Sequence, residues 1–445
     1  MNIIYQFLIL LFVLGIIILV HEFGHYIAAR LMKIRVEVFS FGFGKRLFGE
    51  KIGATDFRVS LFPLGGYIRM AGDEEFDPEH PKPDEFMAKN RAQKIFTLLM
   101  GPFMNILLAL LLLVIVNMGG VETDAYKLEK PVIGYIENGS PAEKAGLLPG
   151  DTLLAINNRK ITNWKEVEIT IFTNPKESLK IDFLRQDKPL ITNLNVIAGI
   201  RPEIGYVGFY WQWPAEIDQV VKNYPAWKAG LKPGDMITAV NDQPVATYFE
   251  LANIIHQSPG KLLRLTYKRG EHFLFSQLTT VVNENGQGVI GITAKIAVSK
   301  ISYGLFAAIQ NSFQEASQWT FVLFNTFKKM IQRKISIKSF SGPMEIARFS
   351  QQALASGFAN FFMLIAFISL QLGIVNLFPI PGLDGGHLLI FTIEAIIRRD
   401  LNQKLKTVLI YIGFSFLITL MVFVILNDIA KTLPQGWKSI LPFWH

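Results

Sequence analysis

Three residues with catalytic chemistry, His21, Glu22 and His25, lie together in the motif His-Glu-Phe-Gly-His. Side chains four positions apart project from the same face of an α-helix, so the two histidines can bind one zinc ion while the glutamate lies beside them as a general base. Residues 1–20, directly before the motif, are almost entirely apolar. The motif therefore predicts a zinc-binding helix inside a membrane, with Glu22 as the catalytic base. The alternative is that these residues end a membrane anchor at the interface.

A catalytic zinc ion usually has a third protein ligand, and Asp384 is the best candidate in the sequence. It follows the segment Asn376-Leu-Phe-Pro-Ile-Pro-Gly-Leu, in which two prolines must interrupt an apolar span. Irregular backbone at membrane depth is tolerated where it lines a site, so we expect this break to do so. Two alternatives stay open: Asp384 caps the helix that starts near Gly385, or His387 is the ligand. Asn376 is interpreted either as a hydrogen-bond donor to the substrate or as a partner of broken-helix carbonyls.

The composition predicts membrane spans that alternate with soluble modules. Half of the 445 residues (50%) are hydrophobic, and they are concentrated in four blocks, residues 1–20, 95–118, 358–380 and 408–426. Each block is close to the roughly 20 residues that a helix needs to cross the hydrocarbon. The net charge is +8, but the cations cluster beside the spans rather than on a repeated recognition element. This distribution argues against nucleic acid as a partner.

The cations also predict the orientation of the spans. Twelve Lys or Arg residues lie between positions 30 and 94, and four lie between positions 398 and 406. The positive-inside rule puts both groups in the cytoplasm, and the amino terminus, the middle region and the carboxy terminus outside. No Lys or Arg precedes the first apolar block, which favours an uncleaved anchor, and the absence of cysteine fits an exported domain. We therefore expect a multi-pass protein of a bacterial inner membrane, with periplasmic modules and an active site toward the cytoplasmic side.

The middle of the chain contains an internal repeat. Residues 140–158, SPAEKAGLLPGDTLLAINN, match residues 224–242, YPAWKAGLKPGDMITAVND, at eleven of nineteen positions. Each copy predicts a short helix, a Pro-Gly-Asp turn and an alternating strand. The pattern resembles tandem PDZ domains of the circularly permuted bacterial kind. In such domains Gly208 and Gly291, each in an apolar-Gly-apolar turn, would present backbone amides to a peptide. The modules either bind peptide ligands or only occlude the membrane site.

The region between the first two blocks predicts a membrane-associated β-sheet. Residues 36–43, 57–62 and 67–70 have strand character and are punctuated by glycines. A substrate helix hides its carbonyls in internal hydrogen bonds, so a sheet edge that adds the unwound substrate as a strand would expose them. The alternative is an ordinary cytoplasmic hairpin. The candidate substrate-binding residues here are Gly42, Phe43, Gly44, Gly65 and Gly66.

The motifs together resemble the intramembrane site-2 zinc metalloproteases of the RseP type over essentially the whole chain. They are HExxH in the first span, NxxPxPxLDG in the third span and the PDZ-like repeat between spans two and three. The resemblance implies that His21, His25 and Asp384 bind one Zn²⁺ and that Glu22 is the base. It also implies a reentrant sheet and cleavage within the membrane segment of a single-span protein, such as an anti-sigma factor that has already been trimmed on its outer side.

Two further motifs match this family, and we interpret both as sites of helix kinking and close packing. They are Gly101-Pro102-Phe103-Met104-Asn105 and Ser341-Gly342-Pro343.

The expected fold is an α-helical membrane protein with four transmembrane helices, a membrane-associated β-sheet, and two α+β PDZ domains inserted between helices 2 and 3. The expected boundaries are 1–32 for the first helix, 33–94 for the β region, 95–118 for the second helix, 119–212 and 213–300 for the PDZ domains, 301–356 for amphipathic membrane-surface helices, 357–398 for the third helix, 404–427 for the fourth helix and 428–445 for an extracytoplasmic tail. A fifth span within residues 301–338 is the alternative to the surface helices.

The expected function is an intramembrane zinc endopeptidase of envelope stress signalling. Its expected partners are a single-span membrane substrate, membrane lipid and peptide ligands of the PDZ domains. One rival is a membrane-tethered PDZ adaptor with a structural metal, which Glu22 argues against because a structural zinc has no use for a base. The other is a metal transporter, which is disfavoured because the sequence offers one cluster of candidate ligands and nothing that continues it across the bilayer.

Overall fold

The computed structural model describes residues 3–73, 80–199, 204–332 and 342–432. The chain divides into two compact units, each described by itself below. The helical unit consists of Met1–Val121, Ile301–Lys328 and Ser336–His445, and the repeat unit of Glu122–Lys300 and Lys329–Ile335. Several parts of the predicted segments lie outside the described residues. They are residues 1–2 of the first helix, 74–79 of the β region, 200–203 of the first PDZ domain, 333–341 of the surface helices (including Ser341 of the second packing motif) and 433–445 of the tail.

The described residues form the following elements in chain order. The helices are α1 (Ile3–Leu31), α2 (Arg91–Gly119), α3 (Pro141–Lys144), α4 (Trp164–Phe172), α5 (Pro225–Lys228), α6 (Tyr248–His256), α7 (Leu305–Ile331), α8 (Pro343–Ala355), α9 (Phe358–Asn376), α10 (Asp384–Ile397) and α11 (Gln403–Thr432), with a 3₁₀ helix at Ala125–Leu128. The strands are β1 (Val36–Ile52), β2 (Thr55–Met70), β3 (Val121–Asp124), β4 (Ile133–Ile136), β5 (Thr152–Ile156), β6 (Arg159–Lys160), β7 (Ser178–Arg185), β8 (Lys188–Asn195), β9 (Ile197–Ala198), β10 (Gly205–Tyr206), β11 (Phe209–Trp211), β12 (Ile217–Val220), β13 (Met236–Val240), β14 (Gln243–Pro244), β15 (Leu262–Arg269), β16 (His272–Thr279), β17 (Val281–Val282), β18 (Gly288–Val289), β19 (Ile292–Ala294) and β20 (Val298–Ile301).

Four helices of the described chain, α1, α2, α9 and α11, are long and apolar enough to cross a membrane. They correspond to the four apolar blocks of the sequence, although α9 ends at Asn376, before the end of the third block. Helix α7 is also long, with 27 residues, but polar side chains interrupt its apolar face and it is not among the four. Helix α2 begins at a capping box, in which the Asn90 side chain accepts a hydrogen bond from the Gln93 backbone N–H at 2.9 Å.

Strands β1 and β2 form one sheet in the helical unit, and they are longer than the sequence predicts. The sequence predicts three short strands, whereas the structure has two strands of 17 and 16 residues. Residues 38–41 pair with residues 66–69 on one side and with residues 56–59 on the other. Gly42 and Gly44 have φ angles of +92° and +88°, and the register of β1 shifts on both sides of Phe43. Strand β1 continues past both glycines, because such bulge-like irregularities interrupt the pairing without ending the strand.

Helices α1 and α2 approach each other closely at two glycines. A Cβ atom at Gly24 would lie 2.2 Å from the Met100 carbonyl oxygen, and one at Gly101 would lie 2.2 Å from Nε2 of His25. A larger residue at either position would have to push the helices apart or displace the imidazole. The two glycines therefore let α2 pack directly against the histidine face of α1.

The third apolar span is broken where the prolines predict a break. Helix α9 ends at Asn376 and α10 begins at Asp384, with Leu383 at the N-cap position. Asp384 is therefore the first residue of α10 and does not occupy the cap position that one alternative gives it. Turn hydrogen bonds organise the link, including one of 2.7 Å from the Ile380 N–H to the Phe378 carbonyl. This link carries the Asp384 side chain into the interior of the helical unit.

The repeat unit contains two modules with the same order of elements. Their four-stranded sheets have the orders β6-β5-β7-β8 and β14-β13-β15-β16. Each module has its own apolar core, and equivalent positions fill the two cores: Leu153, Leu179 and Ile181 in the first, and Ile237, Leu263 and Leu265 in the second. The sequence repeat thus corresponds to a repeated α+β structure.

The aspartate of each Pro-Gly-Asp turn holds its module together through an arginine. The Arg185 guanidinium donates to both oxygens of Asp151 at 2.7 Å, and the Leu148 N–H donates to Oδ2 at 2.8 Å. In the second module, Arg269 donates to both oxygens of Asp235 at 2.7 Å, and a backbone N–H again donates to Oδ2 at 2.8 Å. The turn that follows each short helix is therefore tied to the central sheet.

Candidate metal centre

Two histidines of α1 and the first residue of α10 meet inside the helical unit. Nε2 of His21 lies 3.0 Å from Oδ2 of Asp384, and Nε2 of His25 lies 3.5 Å from the same oxygen. The two Nε2 atoms are 3.3 Å apart. One ligand atom of each residue lies within 4.8 Å of the others, and His387 is not part of this group. Residues that are hundreds of positions apart in the chain thus converge on one point.

The three side chains fit a zinc ion. In the described part of the chain, no group donates a hydrogen bond of good geometry to Oδ2 of Asp384, although both imidazoles are close to it. A buried carboxylate oxygen without a donor is unfavourable, and a cation between the three ligand atoms would satisfy it. Two imidazoles and one carboxylate are also a donor set that catalytic zinc sites use, with one position left for water or substrate.

The second nitrogen of each imidazole faces α2. Nδ1 of His25 lies 2.8 Å from the Thr97 carbonyl oxygen. Nδ1 of His21 lies 3.3 Å from the side-chain amide of Asn105. Contacts of this kind hold metal-binding imidazoles in one orientation, so α2 supports the site although it contributes no ligand to the group.

The sheet runs beside the candidate base. Glu22 is half-buried, and a Cβ atom at Gly66 of β2 would lie 3.4 Å from its Cγ atom. Gly66 is also the first residue of the row 66–69, which pairs with β1 on one side. A peptide that adds to this row would therefore run past Glu22.

The other residues predicted to bind substrate differ in their distance from the metal centre. The Nδ2 atom of Asn376 lies 3.5 Å from Nε2 of His21, so Asn376 lies next to the candidate ligands. Phe43 is exposed, and its ring stacks on that of Tyr67 with the centroids 6.0 Å apart. A Cβ atom at Gly65 would lie 2.2 Å from the Phe43 ring, so Gly65 is part of the same aromatic contact. Gly42 and Gly44 lie in the irregular part of β1 on either side of Phe43.

The two predicted peptide-binding glycines, Gly208 and Gly291, occupy equivalent positions in the repeat unit. Their φ angles are +74° and +80°, in the left-handed region that favours glycine. In the first module a cavity of about 110 Å³ opens between α4 and residues 205–211. Val167, Ile171, Val207 and Gly208 are among the residues that line it. This groove has the size and apolar character to receive a side chain.

Sequence reasoning missed the contribution of α2 to the metal centre. It interpreted the Gly101-Pro102-Phe103-Met104-Asn105 motif as a site of helix kinking and close packing. Gly101 does pack closely against the His25 ring, but Asn105 also contacts His21. One signal was available, because Asn105 is a polar residue in the middle of an apolar span, where a polar group needs a partner. Nothing in the local sequence indicates that His21 is this partner.

The chain is similar to several known proteins. A model of peptidase family M50 matches residues 9–420 of the chain. A predicted zinc metalloprotease of Neisseria meningitidis is 31% identical over 446 residues, which cover 95% of this chain and 99% of that protein. The regulator of sigma E protease of Haemophilus influenzae is 30% identical over 448 residues, which cover 94% of this chain and 97% of that protein. Among solved structures, the PDZ domain of an SdrC-like protein from Listeria monocytogenes is 23% identical and covers 20% of this chain and 93% of that domain, with a TM-score of 0.17.

Proposed function

The chain belongs to peptidase family M50 and is a zinc metalloendopeptidase, and from this premise we propose that it hydrolyses a peptide bond within the transmembrane segment of single-span membrane proteins. The observation that carries the proposal is the convergence of His21, His25 and Asp384 on helices of the apolar unit. We assign these three residues as ligands of one zinc ion per chain and Glu22 as the catalytic base.

Peptide hydrolysis needs proton transfer and binding of the scissile peptide group, and different residues of the chain carry out each task. Zinc, when bound, supplies a Lewis acid that polarises the scissile carbonyl and promotes the ionisation of water. The Glu22 carboxylate accepts the proton of the attacking water and returns it to the amine nitrogen that leaves. The Asn376 amide donates a hydrogen bond to the substrate backbone near the scissile bond. Glu22 can serve both steps because it follows His21 directly on α1 and lies beside the sheet.

The sheet presents the substrate to these residues. A transmembrane helix must unwind before a protease can reach its carbonyls, since all of them are paired within the helix. We propose that the unwound segment adds as a strand to the row 66–69, next to Gly65 and Gly66, with Gly42, Phe43 and Gly44 at the rim. The pairing of this row with β1 and its approach to Glu22 support the assignment.

The two modules of the repeat unit are assigned as PDZ domains that control access of the substrate. Their repeated topology and the groove beside Gly208 support binding of a peptide, and Gly291 would serve the equivalent turn in the second module. Occlusion of untrimmed substrates is the second candidate role. We further propose that the protein lies in a bacterial inner membrane with the modules and both termini on the periplasmic side. The Haemophilus relative is named as a regulator of sigma E protease, and we propose a role in the same pathway. The family resemblance implies anti-sigma-factor-like substrates that are cut after trimming of their outer domain, as part of envelope stress signalling.

The direct test is cleavage of a single-span substrate by the purified protein and by Glu22→Gln. Removing the base should slow cleavage by about 10²- to 10⁴-fold, because proton transfer in the transition state contributes a factor of this size. The zinc content of the variant, measured by elemental analysis, should remain at one ion per chain.

A matched control is Glu271→Gln, which makes the same chemical change in a side chain that is 90% exposed. It should leave both cleavage and zinc content unchanged. Equal cleavage by wild type and Glu22→Gln would eliminate Glu22 as the base. Zinc binding without any cleavage by the wild type would favour a tethered adaptor with a structural metal.

A further inference from the structure

We infer that Asn105 is a positioning residue of the metal centre. Its side-chain oxygen accepts the Nδ1 proton of His21 and so holds the imidazole in the tautomer and orientation that direct Nε2 toward Asp384 and His25. The inference rests on the proposed role of His21 as a metal ligand. It extends that role to a residue of α2 that contributes no ligand of its own.

Asn105 is held rigidly in the interior of the helical unit. Its side chain is completely buried, and its amide nitrogen Nδ2 is the atom that lies 3.3 Å from Nδ1 of His21 in the structure. Its backbone carbonyl accepts a hydrogen bond of 2.8 Å from the Ser369 hydroxyl of α9. Gly373, one turn further along α9, packs so closely that a Cβ atom there would lie 3.2 Å from the Cβ atom of Asn105. Contacts with α1 and α9 thus restrict the movement of this side chain.

The tautomer of His21 decides which atom of Asn105 must face it. A neutral imidazole that binds a metal through Nε2 carries its proton on Nδ1, so Nδ1 becomes a donor and needs an acceptor. The oxygen and nitrogen of an asparagine amide exchange places on rotation by about 180° about χ2. Oδ1 of Asn105 is a buried acceptor for which no donor lies among the described residues. Rotation of the amide by about 180° turns this oxygen toward His21. The Nδ1 N–H of His21 then donates a hydrogen bond to Oδ1 of Asn105, and both groups have a partner.

The second histidine of the site has an equivalent contact. Nδ1 of His25 lies 2.8 Å from the Thr97 carbonyl oxygen, an acceptor that can receive only a proton from the ring. Both imidazoles are therefore oriented from α2, one by a backbone carbonyl and one by a side chain. The contact to His21 is the one that mutagenesis can remove, since no substitution deletes the Thr97 carbonyl.

The zinc affinity of the full-length protein tests this role. Asn105→Leu keeps the size of the side chain but removes the acceptor, and we expect it to weaken zinc binding by about 10- to 100-fold in competition with a chromophoric chelator. Asn105→Asp retains an oxygen that can accept the Nδ1 proton, and should bind zinc at least as tightly as the wild type. If Asn105→Leu does not fold, Asn105→Ala, which is too short to reach His21, replaces it in the same comparison.

The matched control is Asn117→Leu, in the same helix. Asn117 is also buried and donates a hydrogen bond of 3.1 Å to the Ser312 hydroxyl, without any contact to the histidines. A purely structural role of buried asparagine predicts that both leucine variants unfold at a lower temperature and that neither changes zinc affinity selectively. We expect the loss of affinity in Asn105→Leu only.

Three results would overturn the inference. They are a zinc affinity of Asn105→Leu within about twofold of the wild type, an equal loss in Asn117→Leu, or an Asn105→Asp variant as weak as Asn105→Leu. Failure of the underlying proposal has a different signature. In that case His21→Ala would retain full zinc affinity, or Glu22→Gln would cleave as fast as the wild type.

Discussion

Buried aspartates in the two units of the chain differ in what satisfies their oxygens. In the repeat unit, Asp151 and Asp235 are 1% and 0% exposed, and both oxygens of each receive hydrogen bonds from an arginine. In the helical unit, the side chain of Asp384 is 18% exposed and faces two imidazoles, and its Oδ2 has no donor of good geometry within the described chain. The first two carboxylates have hydrogen-bond donors within the fold, whereas the third has the surroundings expected of a metal ligand.

The presence or absence of hydrogen-bond donors to the carboxylate thus distinguishes a structural aspartate from a candidate functional one, whatever residues flank it in the sequence. Each module aspartate follows Pro-Gly and ties a turn to a sheet, so its removal leaves a guanidinium and a backbone N–H without their partner. Asp384 follows a similar Gly-Leu turn, but its removal leaves two imidazoles close to each other. Replacing Asp151 or Asp235, whose oxygens accept hydrogen bonds, should therefore lower the free energy of unfolding. Replacing Asp384, whose Oδ2 accepts none of good geometry, should instead weaken metal binding.

The largest expected effect is that of Asp384→Ala on metal binding and cleavage. Loss of an outer-sphere contact typically weakens a metal site by 10- to 100-fold, so loss of a ligand should weaken it by more than about 100-fold. The melting temperature of the metal-free protein should fall less than in the two module variants below, because Oδ2 accepts no hydrogen bond of good geometry. Elemental analysis and thermal unfolding after chelation measure the two quantities.

The control for this variant is His387→Ala, the competing ligand. It should retain full zinc occupancy. Zinc loss in His387→Ala together with full occupancy in Asp384→Ala would reverse the assignment of the third ligand.

The next largest effect is expected for Asp151→Ala and Asp235→Ala. Each substitution breaks a paired set of charged hydrogen bonds and should destabilise its own module by about 2–4 kcal/mol, with zinc content unchanged. Hydrogen exchange of the full chain should show faster exchange at Leu148 in the first variant and at Lys232 in the second. Asp218→Ala, at an exposed position of β12, should alter neither. Zinc loss in either module variant would contradict the distinction between the two kinds of acid.

A smaller effect is expected for Asp428, which lies in the helical unit and, like Asp151 and Asp235, accepts hydrogen bonds with both oxygens. It is 3% exposed and accepts backbone N–H groups at the start of α8, from Gly342 at 2.9 Å and Met344 at 3.1 Å. Asp428→Ala should cost about 1 kcal/mol, as loss of a helix cap does, and should accelerate hydrogen exchange in the first turn of α8. Asp428→Asn should retain most of the protection. Equal exchange in the alanine variant and the wild type would show that this acid does not cap α8.

The smallest effect is expected for Glu168, an acid of the first module. Burial raises the pKa of Glu168, although a hydrogen bond from the Tyr126 hydroxyl acts in the opposite direction. A pKa raised in the folded state means that the stabilising contribution is complete below the unfolded pKa of about 4.3 and is lost as the pH rises through the folded pKa. Glu168→Gln should therefore raise stability slightly at pH 7, by less than about 1 kcal/mol because the group is partly solvated. The second module has Ala252 at the equivalent position.

The pH dependence of thermal unfolding checks this expectation. The unfolding temperature of the first module should fall less between pH 4 and pH 7 in Glu168→Gln than in the wild type. An identical pH dependence in both proteins would show that Glu168 does not titrate with a raised pKa.

Part of the metal centre follows from local sequence. The spacing of His21 and His25 places both imidazoles on one face of any α-helix, and the apolar residues before them predict that the helix is long enough to span a membrane. The prolines after Asn376 predict the break between α9 and α10 for the same local reason. The repeat of the Pro-Gly-Asp segment predicts two modules of one structure. These features depend on helix periodicity, proline geometry and turn chemistry, which a short stretch of residues determines.

Tertiary packing decides which of these residues meet. Only the folded helical unit brings Oδ2 of Asp384 to within 3.0 Å of His21, and only the close contact of α2 at Gly24 and Gly101 brings Asn105 and the Thr97 carbonyl to the rings. The same holds for Gly66, which reaches Glu22 because β2 folds back beside α1. Such contacts depend on many weak packing interactions between segments that are distant in the chain. A short stretch of sequence therefore does not predict them. The sequence by itself therefore determined the spacing of the two candidate ligands on α1, and the packing of α2, α9 and α10 around them determined the geometry of the candidate site.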